Sequence, residues 1–527
     1  MSKKRTTYII PIVFIFLING FSSSLFCQHI NILISNSPSI EEPSIMINPF
    51  KTDEMVAGAN LNYSFYSYDG GVKWTEQKLQ STYGVWGDPV LIIDNNQDYY
   101  YFHLSNPDSG NWIDRIVCQK STDQGRNWSN GTFTGLNGTK VQDKEWAVVD
   151  RTTNNIYMTW TQFDVYGGIT TPKPGDSTHI MFSMTSDGGQ NWSQAIRIDE
   201  TGGYCFDDDD AVEGAVPAVG PNGEVYVCWT GPLGLMFDRS VDSGKKWLEH
   251  DIKVSDVPGG WNYVIPGIYR ANGLPVIACD TSGGNNHGTI YINWSDQRNG
   301  LDNTDIWLVK STDGGNTWTQ PTLVNNDNAV KQQFFTWMTI DQTSGFLYFV
   351  FYDRRNHDDE YTDVYLALSK NAGETFENHL ISDSPFRPFP TVFFGDYTNI
   401  SAHDGVVRPI WTRLDDTKLS VYTAIIDTSF TALPEIKNQD FVVENPSPNP
   451  FNSSSYLSFK LKKSSYVKLN VIDIFGRQVE LMIDEQLPPG KYINHLDAEK
   501  HELKEGIYFY QLLVDKKLTS RKILFTN

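Results

Sequence analysis

One eight-residue pattern recurs along this chain and constrains its fold more than any other feature. The copies follow S/T-x-D-x-G-x-x-W and begin at residues 67, 121, 185, 240 and 311, with a diverged copy at 369. The Asp accepts hydrogen bonds from backbone N–H groups of its own turn, the Gly takes the left-handed conformation, and the Trp anchors the next strand. We call each copy an Asp turn and predict that it joins two antiparallel strands.

The Asp turns are too numerous to form a catalytic site, which is needed only once, so we assign them a structural role. The residues with this role are Asp69, Asp123, Asp187, Asp242, Asp313, Trp74, Trp128, Trp192, Trp247 and Trp318.

The spacing of the Asp turns predicts an all-β propeller. Successive copies lie 54, 64, 55, 71 and 58 residues apart from Asp69 to Asn371, and an apolar strand, a turn and a Tyr- and Trp-rich strand precede the copies. This period suits four short strands, the content of one propeller blade. Seven blades fit best and six is the competing count. Residues 398–426 form a seventh copy without an outer strand, which residues 29–35 can supply to close the ring.

Charge and the N-terminus place the protein outside the cytoplasm and away from nucleic acid. The 527 residues carry a formal net charge of -21, which repels phosphate backbones. Residues 1–27 have the basic, apolar and small-residue order of a signal peptide. A lipoprotein anchored through Cys27 is the alternative. No transmembrane segment is expected after signal removal, because no later apolar stretch reaches bilayer length.

Four cysteines remain in the exported chain, and their pairing is open. Cys118, Cys205, Cys228 and Cys279 lie in different repeats without a motif spacing. They can form up to two disulfides in an oxidising compartment, or they can be buried free thiols.

The Asp turns resemble the Asp-box (BNR) repeats of sialidase-superfamily β-propellers, over nearly all of residues 28–430. The resemblance implies the propeller fold. It implies little about activity, since the same box occurs in sialidases, other glycoside hydrolases, sorting receptors and assembly factors.

The last 84 residues predict a separate Ig-like β-sandwich. Residues 444–527 alternate apolar and polar positions over several short strands, after a linker at 431–443. The Pro-Asn-Pro-Phe stretch at 448–451, "EGIYFYQL" at 505–512 and the terminal "RKILF" resemble the type A sorting domain of type IX secretion cargo. The resemblance implies handling by the type IX machinery and a secreted or cell-surface location. An Ig-like accessory module without sorting duty is the alternative.

We expect the candidate functional residues on the propeller face opposite the Asp turns. Because antiparallel strands alternate direction, the turns between the second and third strands and the links between blades lie on that face. Two loops there are near duplicates, with Asp296 and Arg298 matching Asp353 and Arg355, and Arg413 lies at a similar level of the next blade. As a functional site, paired carboxylates would do acid–base work and the arginines would grip a ligand. As a structural feature, each Asp-x-Arg pair is a salt bridge that stiffens its loop.

Two acidic features lie on the same face. The loop at 206–214 supplies hard oxygen atoms that suit calcium, the cofactor that this loop predicts, and a solvated acidic loop is the alternative. Its carboxylates are Asp207, Asp208, Asp209, Asp210 and Glu213. A second set lies where innermost strands begin and is expected to ring the channel. Its members are Asp88, Asp143, Lys144, Glu145, Glu213 and Asp396.

True sialidase activity is doubtful, because the family carries a substrate-binding arginine in an Arg-Ile-Pro stretch near its start. This chain has no arginine between Arg5 and Arg115. The sequence therefore predicts a sialidase-like propeller that acts on or binds extracellular glycans. One form of this prediction is a glycoside hydrolase of unknown specificity. The alternative is a non-catalytic adhesin or protein-binding platform. A lyase using Tyr263, His287 and Arg270 is a further alternative.

Overall fold

The computed structural model describes residues 29–167, 170–327, 329–415, 417–426, 441–443, 446–473, 477–501, 503–515 and 517–526. All of its regular structure is β-strand in these ranges. The chain divides into two compact units, Met1–Thr428 and Ser429–Asn527. The predicted signal peptide and most of the predicted linker lie outside the described residues.

Within the described residues, the first unit contains six four-stranded antiparallel sheets and one five-stranded sheet, each of which forms one blade, and a separate two-stranded hairpin. Their strands, in chain order, are β1 (Ile30–Ser35), β2 (Ser44–Ile47), β3 (Met55–Ala59), β4 (Tyr63–Ser67), β5 (Thr75–Lys78), β6 (Val90–Ile93), β7 (Tyr99–Leu104), β8 (Ile116–Ser121), β9 (Thr132–Thr134), β10 (Val141–Val149), β11 (Ile156–Phe163), β12 (Ser177–Thr185), β13 (Ile196–Arg197), β14 (Gly203–Tyr204), β15 (Glu213–Val219), β16 (Val225–Gly231), β17 (Gly234–Ser240), β18 (Ile252–Ser255), β19 (Asn262–Tyr263), β20 (Ala271–Asn272), β21 (Val276–Cys279), β22 (Ile290–Asp296), β23 (Asp305–Ser311), β24 (Thr322–Leu323), β25 (Gln333–Asp341), β26 (Phe346–Asp353), β27 (Asp363–Ser369), β28 (Glu377–Leu380), β29 (Asn399–His403), β30 (Val406–Asp415) and β31 (Lys418–Ile425).

The sheets form a closed ring, which makes this unit a β-propeller. Blades 1 to 6 run in sequence order from an innermost to an outermost strand, as in β2-β3-β4-β5 and β6-β7-β8-β9. Each innermost strand contacts that of the next blade, and β29 of blade 7 contacts β2 of blade 1. Two extra pieces lie in the links between blades: β14, which pairs with β12, and the β19–β20 hairpin before blade 5.

Both ends of the propeller chain meet in blade 7. This sheet has the order β1-β31-β30-β29, so its outermost strand comes from the start of the described chain. The pairing is antiparallel, with Ile30 opposite Ile425 and Leu33 opposite Tyr422. As the sequence indicated, the N-terminal segment closes the ring and covers a sheet edge that would otherwise be open.

Each Asp turn connects the third and fourth strands of its blade. The bonds of its Ser or Thr and Asp side chains recur in all five full copies, whereas the Trp bonds the Gly carbonyl in three copies and the preceding blade in two. In blade 1, Ser67 Oγ donates to Asp69 at 2.9 Å and accepts the Gly71 N–H at 3.0 Å. Asp69 also accepts the Lys73 N–H at 2.9 Å, and Trp74 Nε1 donates to the Gly71 carbonyl at 3.0 Å. Backbone bonds to the Asp187 carboxylate from Asn191 lower the pKa of Asp187 to about 2. The turn is thus held by its own side chains.

The glycine of the Asp turn also packs against the preceding blade. A Cβ atom on Gly315 would lie 2.3 Å from a ring carbon of Phe237, and one on Gly244 would lie 2.2 Å from Phe182. Both glycines have positive φ, 90° and 82°. The glycine therefore serves the interface between blades as well as the turn, because a side chain there would push neighbouring blades apart.

The propeller core is aromatic, and its described cysteines form no disulfide. Four fully buried tryptophans occupy the second strand of their blades: Trp160, Trp229, Trp294 and Trp411. The four cysteines of the sequence analysis, Cys118, Cys205, Cys228 and Cys279, are buried free thiols.

The second unit is a small β-sandwich of a three-stranded and a four-stranded sheet, β32-β33-β36 and β35-β34-β37-β38. Phe459 and Leu461 of one sheet share an apolar core with Leu469 and Leu512 of the other. Its strands are β32 (Phe441–Val443), β33 (Ser454–Leu461), β34 (Ser465–Asp473), β35 (Gln478–Leu487), β36 (Gly490–Asp497), β37 (Gly506–Val514) and β38 (Lys517–Phe525).

Across the described ranges, no helix has the length and apolar character needed to span a bilayer.

Candidate functional site at the mouth of the propeller channel

A shared backbone feature aims side chains into the channel where innermost strands begin. Glu42, Asp88, Lys144 and Phe335 all have positive φ, between 50° and 52°. The β10–β11 pairing shifts register between Asp143 and Trp146, next to Lys144. Bulges of this kind redirect a side chain away from the regular alternation of a strand. Three of the four positions therefore bring a charged group to the propeller axis, on the face opposite the Asp turns.

Lys144 is the centre of a buried ionic cluster. Its Nζ lies 2.6 Å from Asp396 Oδ2, 3.4 Å from Asp88 Oδ2 and 3.5 Å from Glu42 Oε1. Although burial disfavours the ammonium form, Asp396, Asp88 and Glu42 raise the pKa of Lys144 well above its usual value. A buried charge needs such partners, because an isolated ion in the interior costs several kcal/mol. The acidic ring expected from the sequence agrees with these contacts at Asp88, Lys144 and Asp396.

Arg270 extends the cluster toward solvent from the β19–β20 hairpin. Its Nε donates to Asp396 Oδ1 at 2.9 Å, its Nη2 also bonds Asp396, and its Nη1 donates to Asp207 Oδ2 at 2.6 Å. Tyr166 Oη donates to the same Asp207 oxygen at 2.8 Å. We call Tyr166, Asp207, Arg270 and Asp396 the channel mouth. The side chain of Arg270 is 31% exposed and that of Asp207 is 16% exposed, so a ligand can reach both.

Three carboxyl groups beneath the mouth are buried among other acids. Burial raises the pKa of Glu145 and of Glu213 well above the usual value, and it raises the pKa of Asp143 to about 7. Neither oxygen of Glu145 or Glu213 has a hydrogen-bond partner among the described residues. Burial among other acids therefore favours the neutral form of both glutamates.

Aromatic side chains close the channel below the mouth. The rings of Trp146 and Trp337 lie 4.1 Å apart between centroids, and Tyr397 lies 5.6 Å from Trp146. The remaining cavity, about 20 Å³, borders Lys144 and Asp396 and has room for about one water. A sugar ring or a peptide is too large for this cavity, so we expect such a ligand to lie on the mouth.

Exposed rings flank the channel mouth on two sides. Tyr204 and Phe206 lie 5.3 Å apart beside Asp207, and each is 39% exposed. On the other side, Tyr269 is 59% exposed and lies 6.0 Å from Phe393, and the Arg270 guanidinium lies 5.3 Å from the Phe393 ring. The mouth thus combines hydrogen-bonding groups with apolar ring surfaces.

The predicted Asp296–Arg298 pair lies away from the mouth. Arg298 Nε donates to Asp296 at 2.9 Å, and its guanidinium lies 4.6 Å from the Trp307 ring on the third strand of blade 5. The Nη2 group also donates to the Asp256 carbonyl at 3.2 Å, at the exit of blade 4. The pair connects adjacent blades near their outer strands.

Asp353, Arg355 and Arg413 repeat this arrangement in the next two blades. Arg355 Nε donates to Asp353 at 2.7 Å, and its Nη1 donates to Asn326 Oδ1 at 3.2 Å, just after the outermost strand of blade 5. Arg413 Nε donates to Asp415 at 2.6 Å, and its Nη1 donates to the Ser384 carbonyl at 2.7 Å. Each of the three arginines bonds within its own blade and to the exit of the blade before it.

The five acidic residues predicted as calcium ligands point in different directions. Asp207 bonds Arg270 and Tyr166, Asp208 accepts the Asp210 N–H at 3.2 Å, and Asp209 accepts the Asn262 N–H at 2.7 Å. Glu213 is buried at the start of β15. Within the described ranges, no group of three or more His, Cys, Asp or Glu side chains is arranged to hold a metal ion.

Two polar members of the site, Glu42 and Tyr166, were not among the sequence-predicted residues, and neither were the aromatic residues at and below the mouth. Glu42 carries a signal that alignment of the repeats would have shown, because Glu42-Pro43 occupies the same place in blade 1 as Asp88-Pro89 in blade 2. Tyr166 lies in an irregular loop without a repeat partner, and no sequence signal marks it.

Comparison with protein families identifies the second unit. Residues 447–526 match the family described as the secretion system C-terminal sorting domain. This sorting domain indicates export by the type IX secretion system to the cell surface or the extracellular space. The sequence expectation for the tail is therefore confirmed. No curated protein matches the sequence.

Solved structures similar to this chain include several propellers. The NanB sialidase of Streptococcus pneumoniae is 9% identical, with 71% of this chain and 83% of that chain covered and a TM-score of 0.42. An α-L-arabinanase of Penicillium chrysogenum is 16% identical, with 67% and 98% covered and a TM-score of 0.38. An ulvan lyase of a polysaccharide lyase family is 11% identical, with 75% and 94% covered and a TM-score of 0.44.

Proposed function

We propose that this protein is an extracellular glycan-binding propeller whose ligand lies on the channel mouth. The observation that carries the proposal is the Tyr166–Asp207–Arg270 group next to the exposed rings of Tyr204, Phe206 and Tyr269. Sugars present hydroxyl groups at their edges and C–H surfaces on their faces, so they fit a few polar groups set among rings. The sorting domain supports the proposal, because it takes the propeller to where glycans are found.

The state of Arg270 favours an uncharged sugar at this position. Its Nε and Nη2 groups bond Asp396, and its Nη1 bonds Asp207. A sugar carboxylate is usually bound by an open guanidinium fork. Here a carboxylate would have to displace Asp396 or Asp207, which would leave a buried anion without its partner.

Glycoside hydrolysis is a second candidate, and the state of Asp143 favours it. Burial raises the pKa of Asp143 to about 7, and the charge of Asp207 contributes to the rise. A proton-donating acid near an accessible carboxylate is the pairing that glycosidases use. In this version Asp143 is the acid and Asp207 the second carboxylate. The sequence-derived hypothesis that Asp296, Asp353 and the three arginines carry the chemistry stays open beside it.

The test uses the mature chain on a glycan array and on a panel of fluorogenic glycosides. Tyr269→Ala and Phe206→Ala remove exposed rings of the mouth, and both variants are expected to weaken glycan binding about tenfold. Phe50→Ala is the matched control, because Phe50 is 52% exposed in a turn that joins the first two strands of blade 1, on the Asp-turn face. Equal binding by all three variants would contradict the proposal.

Turnover separates the two candidates. Hydrolysis that Asp207→Asn abolishes, while glycan binding persists, supports the enzyme at this site. Binding without turnover of any glycoside supports a binding protein. Turnover that persists in Asp207→Asn but is lost in Asp353→Asn would place the catalytic residues in the outer loops.

A further inference from the structure

A groove between blades 2 and 3 has an uncharged lining. It has a volume of about 600 Å³ and is lined by fifteen residues, none of which is charged. The chain as a whole carries a formal charge of -21. We call this the blade 2–3 groove and define it by Tyr83, Phe133, Leu136, Gln162 and Gln194. Its volume lies within the range of ordinary ligand sites, about 300–1,000 Å³.

From these features we infer that the blade 2–3 groove is a second binding site, for an uncharged glycan chain. The inference does not depend on the proposed function of the mouth, because the groove shares no residue with it.

Rings at one end of the groove are held in place. Tyr83 and Phe133 meet edge to face with centroids 5.1 Å apart. The Arg115 guanidinium lies 4.8 Å from the Phe133 ring and 5.5 Å from the Tyr83 ring. Arg115 in turn bonds Asp114 at 2.7 and 2.8 Å, which neutralises its charge. Fixed rings are suited to stacking on sugar faces, since little side-chain freedom is lost on binding.

Side-chain amides supply hydrogen-bonding groups along the groove. Asn137 Nδ2 donates to Gln162 Oε1 at 3.0 Å, which fixes the orientation of both. Gln194 is exposed, and its amide has no hydrogen-bond partner among the described residues. Amides donate and accept without charge, as the hydroxyl groups of a neutral sugar require. A charged glycan would find no counter-charge here.

A peptide fits this groove less well. A peptide that adds to a sheet needs an open strand of several residues, and the outermost strands here are short, Thr132–Thr134 and Ile196–Arg197. Trp192 Nε1 also donates to Thr132 Oγ1 at 3.1 Å, which ties blade 3 against the outer strand of blade 2. The rings and amides therefore point to a saccharide.

The test is affinity gel electrophoresis of the full mature chain in gels containing dextran, arabinan, xylan, galactomannan, alginate or polygalacturonate. At least one of the four neutral polymers is expected to retard the wild type, and the two anionic polymers are not. Tyr83→Ala is expected to weaken the apparent affinity about tenfold, and Gln194→Ala about threefold. Phe50→Ala, outside both sites, is expected to leave it unchanged.

Gln194→Ala keeps the test decisive if Tyr83→Ala disturbs the fold, because Gln194 is exposed. The inference is overturned if no neutral polymer retards the chain, or if neither groove variant changes the retardation. It is also overturned if the retardation requires Tyr269 but not the groove residues, which would place all binding at the mouth. If the groove variants lose retardation and Tyr269→Ala keeps it, the result supports binding in the groove and contradicts binding at the mouth. If the chain binds members of a peptide library through Tyr83 and binds no polysaccharide, the ligand of the groove is a peptide and not a glycan.

Discussion

The ammonium group of Lys144 lies 2.6 Å from the carboxylate of Asp396, although 252 residues separate the two in sequence. Lys144 lies on the innermost strand of blade 3, and Asp396 precedes the innermost strand of blade 7. Arg270, from the link before blade 5, bonds the same carboxylate. A single buried anion therefore connects distant parts of the ring around the propeller axis.

Lys144→Met is expected to lower the free energy of unfolding by about 3–5 kcal/mol, because it leaves Asp396 and its neighbouring acids without a cation. Lys310→Met is the control, since Lys310 pairs with the exposed Glu374 and such pairs contribute about 0–1 kcal/mol. Chemical denaturation of both variants measures the difference. Similar losses in the two variants would show that the central cluster adds no more than a surface pair.

Stability is expected to fall as pH rises from about 5 to 8. Burial raises the pKa of Glu41 from 4.5 to about 8 and that of Asp143 from 3.8 to about 7. Between the unfolded and folded pKa values, the folded protein keeps protons that the unfolded chain has lost. Each group therefore reduces stability by up to about 1.4 kcal/mol per pH unit in its window. Asp396 acts in the opposite sense only at acidic pH, since Arg270 and Lys144 hold its pKa below the usual range despite its burial.

Glu41→Gln checks this pH dependence, because it removes the proton exchange while keeping the shape of the side chain. Thermal unfolding measured from pH 5 to 8 is expected to show a flatter profile for Glu41→Gln than for the wild type. Glu249→Gln is the control at an exposed position. An unchanged slope in Glu41→Gln would show that Glu41 does not retain its proton.

Gly315→Ala tests whether the Asp turns hold neighbouring blades together. The new Cβ would overlap the Phe237 ring, at 2.3 Å, in addition to the strain of a left-handed residue. Gly405→Ala carries the same kind of strain at φ 74°, but its Cβ would have no neighbour within 4 Å. We expect Gly315→Ala to cost about 1–3 kcal/mol more in unfolding free energy. Equal costs would mean that the contact with the preceding blade is easily relaxed.

Arg355→Met is expected to destabilise the propeller by about 3 kcal/mol or more, because Asp353 is fully buried and would lose its cation. Glycan binding at the mouth is expected to persist. Arg126→Met, at an exposed position in an Asp turn, is the control for loss of an arginine. Loss of binding or turnover in Arg355→Met at a temperature where it remains folded would favour a ligand-contacting role for the outer loops.

Removal of residues 447–527 is expected to retain the propeller inside the cell in a host that has the type IX machinery, because this segment matches the sorting domain. Immunodetection of the propeller in the medium and on the cell surface measures the effect. The full-length chain with Tyr456→Ala, a change of one exposed side chain in the sandwich, provides the control. Undiminished export of the truncated chain would contradict the role of the tail.

The sequence predicted the parts of this molecule that depend on local repetition. The Asp turns specify their own hydrogen bonds, so their place between third and fourth strands follows from pattern alone. The outer strand of blade 7 followed from counting strands, since the last copy lacked one. The acidic set at Asp88, Lys144 and Asp396 followed from the expectation that innermost strands begin at the channel.

The direction of individual side chains could not be predicted in the same way. Arg298 follows the end of a strand. A shift of one residue in register there would turn its side chain from the outer loops toward the channel. Its contact with Trp307 fixes the outward direction, and that packing depends on a strand nine residues away. Tyr166 and Arg270 meet at Asp207 through irregular links, for which neither period nor propensity gives a signal.

The pairing of β1 with β31 has a consequence for biosynthesis. Of the strands that the structure describes, β1 is synthesised first, and it has no partner until the final blade has been made, almost four hundred residues later. Until then the nascent protein carries an uncovered strand at each end of the growing array, the kind of edge on which chains aggregate. A helper that shields the leading strand would therefore matter most during translation and transport, and would become unnecessary once the two ends meet.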